Sequence, residues 1–456
     1  CLCAKLSLRS GVAMQLEFLD PPEACAAIAD DRLQPYFSLL TFTEVASHRK
    51  LTLAQVFPRL KRVTWTEMGQ QIDDATRASY VEWVQEAPRP WIPGVVDEVR
   101  TALELSSTLV REKGFFPLLP PQLGLVLTDG RCEGGVFHTR ARVMICPSGE
   151  LNSLSFLVEW FPHEIAHIYS RALSAWQRNT LYEALGFRRL GARLSLGPGV
   201  AGRLIRNPDC PLLQHALVLP GVFELDAPAI LLDLIHRIED NPPKRTRELN
   251  GIRACRSTLL PLTWAPIPAG AIDFAGPVSY DEDEVVLDPA SPCCCLRTPK
   301  GERPLQPCLA SQRCGRADEC PATGALSPAP ACGAEGAGGA GATEYGWYVD
   351  DRHIRKAQSP NAVPAFKEAV GTYTMYSTHA EELWAEALSV LVGLRPKAEW
   401  SGASVPADPQ SEDEGGAPAH SPEDEPGRAA RYEVNSRILA AVADFVRRTD
   451  PWASER

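Results

Sequence analysis

His163-Glu164-Ile165-Ala166-His167 is the stretch on which the reading of this chain turns. On a helix, two imidazoles four residues apart lie one above the other, with Glu164 beside the first on the same edge. Zinc takes neutral imidazole nitrogens, and a hydrolytic site keeps three protein ligands while leaving the fourth position for water. A glutamate that reaches this water without binding the metal takes its proton as the water attacks a carbonyl. The spacing therefore predicts one zinc ion, His163 and His167 as ligands, and Glu164 as general base.

The flanking residues predict a helix. Leu157, Phe161, Ile165 and Ile168 recur at helical spacing as a buried stripe, while Trp160, His163, Glu164, His167 and Arg171 fall on the other side. Pro162 removes a backbone donor and crowds the preceding turn, which predicts a kink, or a helix that starts near Pro162. The bland alternative is two ordinary histidines and a surface glutamate.

The third ligand is sought in Thr378 to Glu386. Thr378 and Glu381 are spaced as a capping box, so a helix should begin here, with Leu383, Ala387, Val390 and Leu391 as its apolar face and Glu381 in a structural task. His379, Glu382 and Glu386 share a different face. Glu382 is the candidate ligand, and Glu386, one turn on, is placed to accept a hydrogen bond from the free nitrogen of a ligating histidine. An acidic helix start favoured by the helix dipole is the plainer account of the same residues. Glu183 is the rival third ligand, and His379, His215 and Asp209 are further candidates.

His163-Glu164-x-x-His167 followed much later by Glu382-x-x-x-Glu386 resembles the gluzincin-type zinc metallopeptidases, in which a second helix supplies a glutamate ligand and an acidic residue one turn on. More narrowly, the chain is similar to a poorly characterised bacterial and fungal group of HExxH proteins. The segments that carry this are Thr139-Arg140, Leu181-Tyr182, Gly186-Phe187, Asn207-Pro208-Asp209 and Tyr376 through Glu382. The resemblance covers about residues 120 to 220 and 370 to 393. It implies a zinc-dependent, peptidase-like fold but no particular substrate; the expected architecture is α+β and zincin-like, with a mixed sheet beside two ligand helices, and the expected partner is a peptide or protein substrate. Three features depart from the pattern: Pro162 inside the motif helix, Glu386 where aspartate is common, and a long linker between the ligand helices.

Ahead of the motif, Leu123 to Leu127 reads as a strand, Asp129-Gly130 as a turn and Gly135 to Cys146 as a second strand. Such a hairpin offers an open edge to an extended peptide, and Arg140 is a candidate for a substrate carboxylate. An ordinary core hairpin is the equal alternative. Tyr373 and Tyr376 are candidate donors to an oxyanion, or packing residues.

With 456 residues and a hydrophobic share of 45%, the chain can bury a sizeable core. The ligands must converge across about two hundred residues, so residues 14–288 with 344–396 are expected to form one catalytic unit. Residues 1–13 are an N-terminal extension, and Met14 is a possible true start. Residues 289–343 hold seven of the fourteen cysteines and a Gly/Ala run, which predicts a low-complexity insertion. Residues 397–430 form an acidic, Pro-rich linker, whose stretch from Asp408 to Glu425 carries seven acidic residues and no basic one and so accounts for seven of the eleven excess negative charges. Residues 431–450 should form an amphipathic helix. Other helices are expected around Ala24 to Leu39, Asp73 to Val84 and Val95 to Lys113, with strands and loops from Pro211 to Pro266. The acidic balance argues against nucleic-acid binding, and no apolar run reaches membrane-spanning length. The remaining, scattered cysteines point to a reducing compartment and hence the cytoplasm. A zinc-binding or interaction protein that keeps the helix pair without turnover is the competing class.

Overall fold

Nearly continuous apolar runs, buried on both faces, build the centre of the first sheet. Its strands β1 (Gln15–Phe18), β2 (Gln122–Thr128), β3 (His138–Arg140) and β4 (Val143–Pro147) lie in the order β1-β2-β4-β3, with β3 antiparallel at the edge and the others parallel. Successive side chains point to opposite faces, so Leu123, Leu125, Met144 and Cys146 enter one core while Val126 and Ile145 enter another. Helices α1 (Pro21–Ile28), α2 (Phe42–His48) and α3 (Asp74–Gln85) pack on the second face through Ala24, Ile28, Val45, Tyr80 and Val84. The first face is covered by α4 (Pro93–Glu112) and α5 (Leu154–Ala172), the motif helix.

This computed structural model describes residues 14–31, 36–49, 64–151, 153–190, 194–219, 221–223, 227–238, 252–273, 286–287, 296–297, 345–370, 379–392 and 436–455. The extension 1–13, the linker 397–430 and all of 289–343 but Leu296 and Arg297 lie outside them, as do Tyr373, Tyr376 and Thr378.

Three sequence expectations are corrected. Residues 135–146 are not one strand: Ala141 takes φ +48° and folds the segment into β3 and β4, a turn that no Gly or Asn announces. The span from Ala24 to Leu39 is not one helix, because α1 ends at Ile28 and, among the described residues, a 3-10 turn, Phe37–Leu39, follows. The motif helix does not start near Pro162; it begins at Leu154, where the Ser153 hydroxyl accepts from Phe156 N at 3.4 Å, and carries Pro162 inside it as far as Ala172. A mid-helix proline costs roughly 3 kcal/mol. Leu157, Phe161, Ile165 and Ile168, all buried, each contribute about 1.5–3 kcal/mol and outweigh it.

Downstream, α6 (Ala175–Ala184) leads into an antiparallel sheet of β5 (Phe187–Arg189), β7 (His215–Leu217), β8 (Ala229–Ile238) and β9 (Ile252–Pro261). A further sheet joins β6 (Leu194–Leu196), β10 (Thr263–Pro266), β11 (Ile272–Asp273) and β14 (Tyr345–Val349). Leu194, Leu196, Ile230, Leu232, Leu260, Trp347 and Val349 form the core that these two sheets share. Strands β12 (Val286–Leu287) and β13 (Leu296–Arg297) pair with each other.

Two helices complete the main core. In α7 (Ala380–Val392), Leu383, Trp384, Ala387 and Leu388 are buried against α5, and Trp384 Nε1 donates to Ala166 O at 2.9 Å. In α8 (Ser436–Arg448), Ile438, Val442, Phe445 and Val446 join the same core. The described chain is α+β. Among the described residues no helix is long and apolar enough to cross a membrane.

Candidate metal centre

The i, i+4 spacing on α5 sets His163 and His167 one turn apart, with ring centroids separated by 4.8 Å. Glu382, in the first turn of α7, reaches across to both. Its Oε2 lies 3.3 Å from His163 Nε2 and its Oε1 3.4 Å from His167 Nε2. All three side chains are buried. The residues proposed from sequence as ligands therefore converge through the ring nitrogens farthest from the helix backbone.

Carboxylates stand behind the opposite ring nitrogens. Glu381 Oε1 accepts from His167 Nδ1 at 3.0 Å, and the same carboxylate accepts from the Ser170 and Tyr182 hydroxyls. Those hydrogen bonds hold its pKa below the ordinary glutamate value even though burial opposes ionisation. Glu386 Oε2 faces His163 Nδ1 at 3.9 Å, too far for a hydrogen bond. Asn207 Nδ2 donates to Glu382 Oε1 at 2.7 Å.

Glu164 lies on the same side of α5. It forms with His167 and Asp209 a second group whose potential ligand atoms are within 4.8 Å of one another. Asp209 accepts from Thr139 N at 2.9 Å, from the Thr139 hydroxyl, and from Arg171 at 2.8 Å. Burial works against its charge, but His167 and Arg171 outweigh burial and hold it down to about 2. Burial, with Asp209 adding, pushes Glu164 up to about 8. Burial also raises Glu382, to about 7, against the pull of His167. His167 is opposed by burial yet carried up to about 10 by Asp209, Glu382 and Glu381.

These directions describe a buried cluster in which protons on His167, Glu164 and Glu382 offset part of the crowded carboxylate charge, while Asp209 and Glu381 stay ionised. His167 Nε2 and Glu164 Oε2 are buried and make no hydrogen bond among the described residues. Tetrahedral zinc with bonds of about 2.0–2.1 Å keeps its ligand atoms about 3.3 Å apart. Each Glu382 oxygen stands at about that spacing from one imidazole nitrogen, Oε2 from His163 Nε2 and Oε1 from His167 Nε2, and one ligand atom of each residue lies within 4.8 Å of the others. Two imidazoles and a carboxylate are also a donor set that zinc takes in hydrolytic sites. The residues present fit the metal.

Other candidates go elsewhere. Glu183 belongs to neither potential metal-binding group among the described residues. His215 Nε2 pairs with Asn179 Oδ1 at 3.0 Å, and His379 Nδ1 accepts from Glu381 N at 3.1 Å at the start of α7. Arg140 is buried, stacked over Tyr36 and Phe37 with centroid distances of 4.3 and 5.1 Å, so it does not await a substrate carboxylate. The edge of β3 is not open either, since its Thr139 N–H is taken by Asp209.

Sequence reasoning missed the roles of Glu381, Ser170 and Tyr182. Glu381 was assigned to a cap, but its carboxylate is spent on His167. Ser170 carried a usable signal, lying one turn beyond His167 on the same helix face. Tyr182 carried none, because α6 brings it in from a separate element. Comparison of the chain with known protein families, with curated proteins and with solved structures found no match.

Proposed function

We propose that this protein is a zinc-dependent hydrolase acting on peptide bonds, built on a zincin-like scaffold of the gluzincin type. The observation that carries the reading is the convergence of His163 Nε2, His167 Nε2 and the Glu382 carboxylate with Glu164 beside them. Zinc supplies Lewis acidity at such a donor set, polarising a carbonyl and acidifying water. Glu164 takes the proton of the attacking water at Oε2 and returns it to the departing amine. Glu381 fixes the tautomer and orientation of His167, while Glu386 places its charge 3.9 Å from His163 Nδ1 without a hydrogen bond between them. Asp209, anchored by Arg171 and Thr139, keeps negative charge near Glu164 and so favours its proton-bearing form after the transfer. The buried thiols of Cys132, Cys146 and Cys210 fit a reducing compartment, for which we take the cytoplasm.

The test is hydrolysis of a mixed peptide library by the zinc-loaded full-length protein and by its Glu164→Gln variant. Wild type should cleave, and the variant should keep zinc while losing at least about a hundredfold in turnover. Absence of cleavage by wild type, or cleavage undiminished in Glu164→Gln, contradicts the proposal. A second reading, a metal-holding scaffold without turnover, draws on the depth of the centre: His163, Glu164, His167 and Glu382 are 3%, 2%, 0% and 2% exposed. Zinc at wild-type stoichiometry with no hydrolysis would favour it.

A further inference from the structure

An aromatic file runs along α5 from its first turn to the metal centre. The rings of Phe137 and Phe156 are 6.0 Å apart, those of Phe156 and Trp160 are 5.5 Å apart, and Trp160 meets His163 edge-on at 5.3 Å. Phe156, Trp160 and His163 follow the i, i+4, i+7 rule, so one helix face presents all three. Phe156 and Trp160 are half-buried. At the outer end the chain exposes Val136, next to Phe137, and Leu154, in the same helical turn as Phe156, at 54% and 43%. Exposed apolar side chains mean little singly, but at the end of a run of half-buried rings that leads to a candidate site they extend an apolar surface suited to an apolar ligand group.

We propose that Phe156 and Trp160 form a docking surface for a large apolar side chain of the peptide substrate, adjoining the bond presented to the centre. This rests on the peptidase reading above. The file ends on a ring of the donor set, so its occupant belongs to whatever the centre acts on. Backbone pairing along β3 does not provide recognition at Thr139, whose N–H is held by Asp209. Side-chain contact must then supply more of the selectivity. Aromatic faces accept aromatic and aliphatic groups, and they also accept cations. Val136 and Leu154 decide between these, because aliphatic surface gains from covering by another apolar group and gains nothing from an ammonium or guanidinium head.

The experiment measures equilibrium binding to full-length, zinc-loaded Glu164→Gln protein. The probes are fluorescein-labelled peptides of one length whose central residue is Phe or Leu, Gly or Ser, or Lys or Arg. The apolar set should bind about tenfold more tightly than the Gly/Ser set, and Trp160→Ala and Phe156→Ala should each erase most of that difference. Trp160→Phe, which keeps a ring in place, should retain it and controls for a folding defect in Trp160→Ala. Equal binding of all three sets, tighter binding of the basic set, or a preference unchanged in both alanine variants would overturn the proposal. A wild-type protein that hydrolyses nothing while the apolar preference stays sensitive to Trp160 would sink the hydrolase reading and leave this surface standing.

Discussion

Glu381 and Glu382 are neighbours in sequence, yet they address opposite nitrogens of one ring: Glu381 Oε1 accepts from His167 Nδ1 at 3.0 Å, and Glu382 Oε1 lies 3.4 Å from His167 Nε2. A proton held on Nδ1 by Glu381 leaves the Nε2 lone pair for a metal. Glu381→Gln should therefore weaken zinc binding by about 10–100-fold while leaving about one zinc per chain at saturation. Competition with a chromophoric chelator measures this, and unchanged affinity would reduce Glu381 to a packing role.

Zinc uptake should release protons. His167 is carried up to about 10 and Glu164 up to about 8 in the metal-free cluster, so both bear protons at neutral pH. A metal ligand must give its proton up, so the apparent zinc affinity rises with pH while His167 is the group that loses it. Calorimetric titration in buffers of different ionisation enthalpy should find at least about one proton released per zinc near pH 7. A binding enthalpy independent of the buffer would mean that His167 is already neutral.

Asp209→Ala removes the carboxylate that pairs with Arg171, whose side chain is 13% exposed. Breaking a largely buried pair from one side costs about 3–5 kcal/mol, because the remaining charge is left without its partner. The midpoint of urea unfolding should fall accordingly, with zinc removed from both proteins before comparison. A shift worth less than about 1 kcal/mol, the scale of an exposed pair, would show that water solvates Arg171 freely.

Much of this site was legible because helical spacing is a strong constraint. The four-residue step fixed His163 and His167 on one face, and the three-residue and four-residue steps from His379 set Glu382 and Glu386 together. Pro162 misled only as a helix start, since local propensity is outweighed when the whole surrounding stripe is buried. Glu381 was hidden by a competing local pattern, Thr378 three residues upstream. The turn at Ala141 and Arg142 was hidden because neither residue type signals a left-handed conformation. Asp209 illustrates the remaining limit: only the fold brings a loop residue onto Thr139 and Arg171, and no periodicity in the chain points there.

The most direct test of the account is zinc content per chain for full-length wild type and Glu382→Ala, purified side by side. The account expects about one zinc in wild type and much less in the variant, because a structural or catalytic site that drops from three protein ligands to two loses most of its affinity. Wild-type protein without zinc would contradict the account, and full retention by Glu382→Ala would remove Glu382 from the donor set.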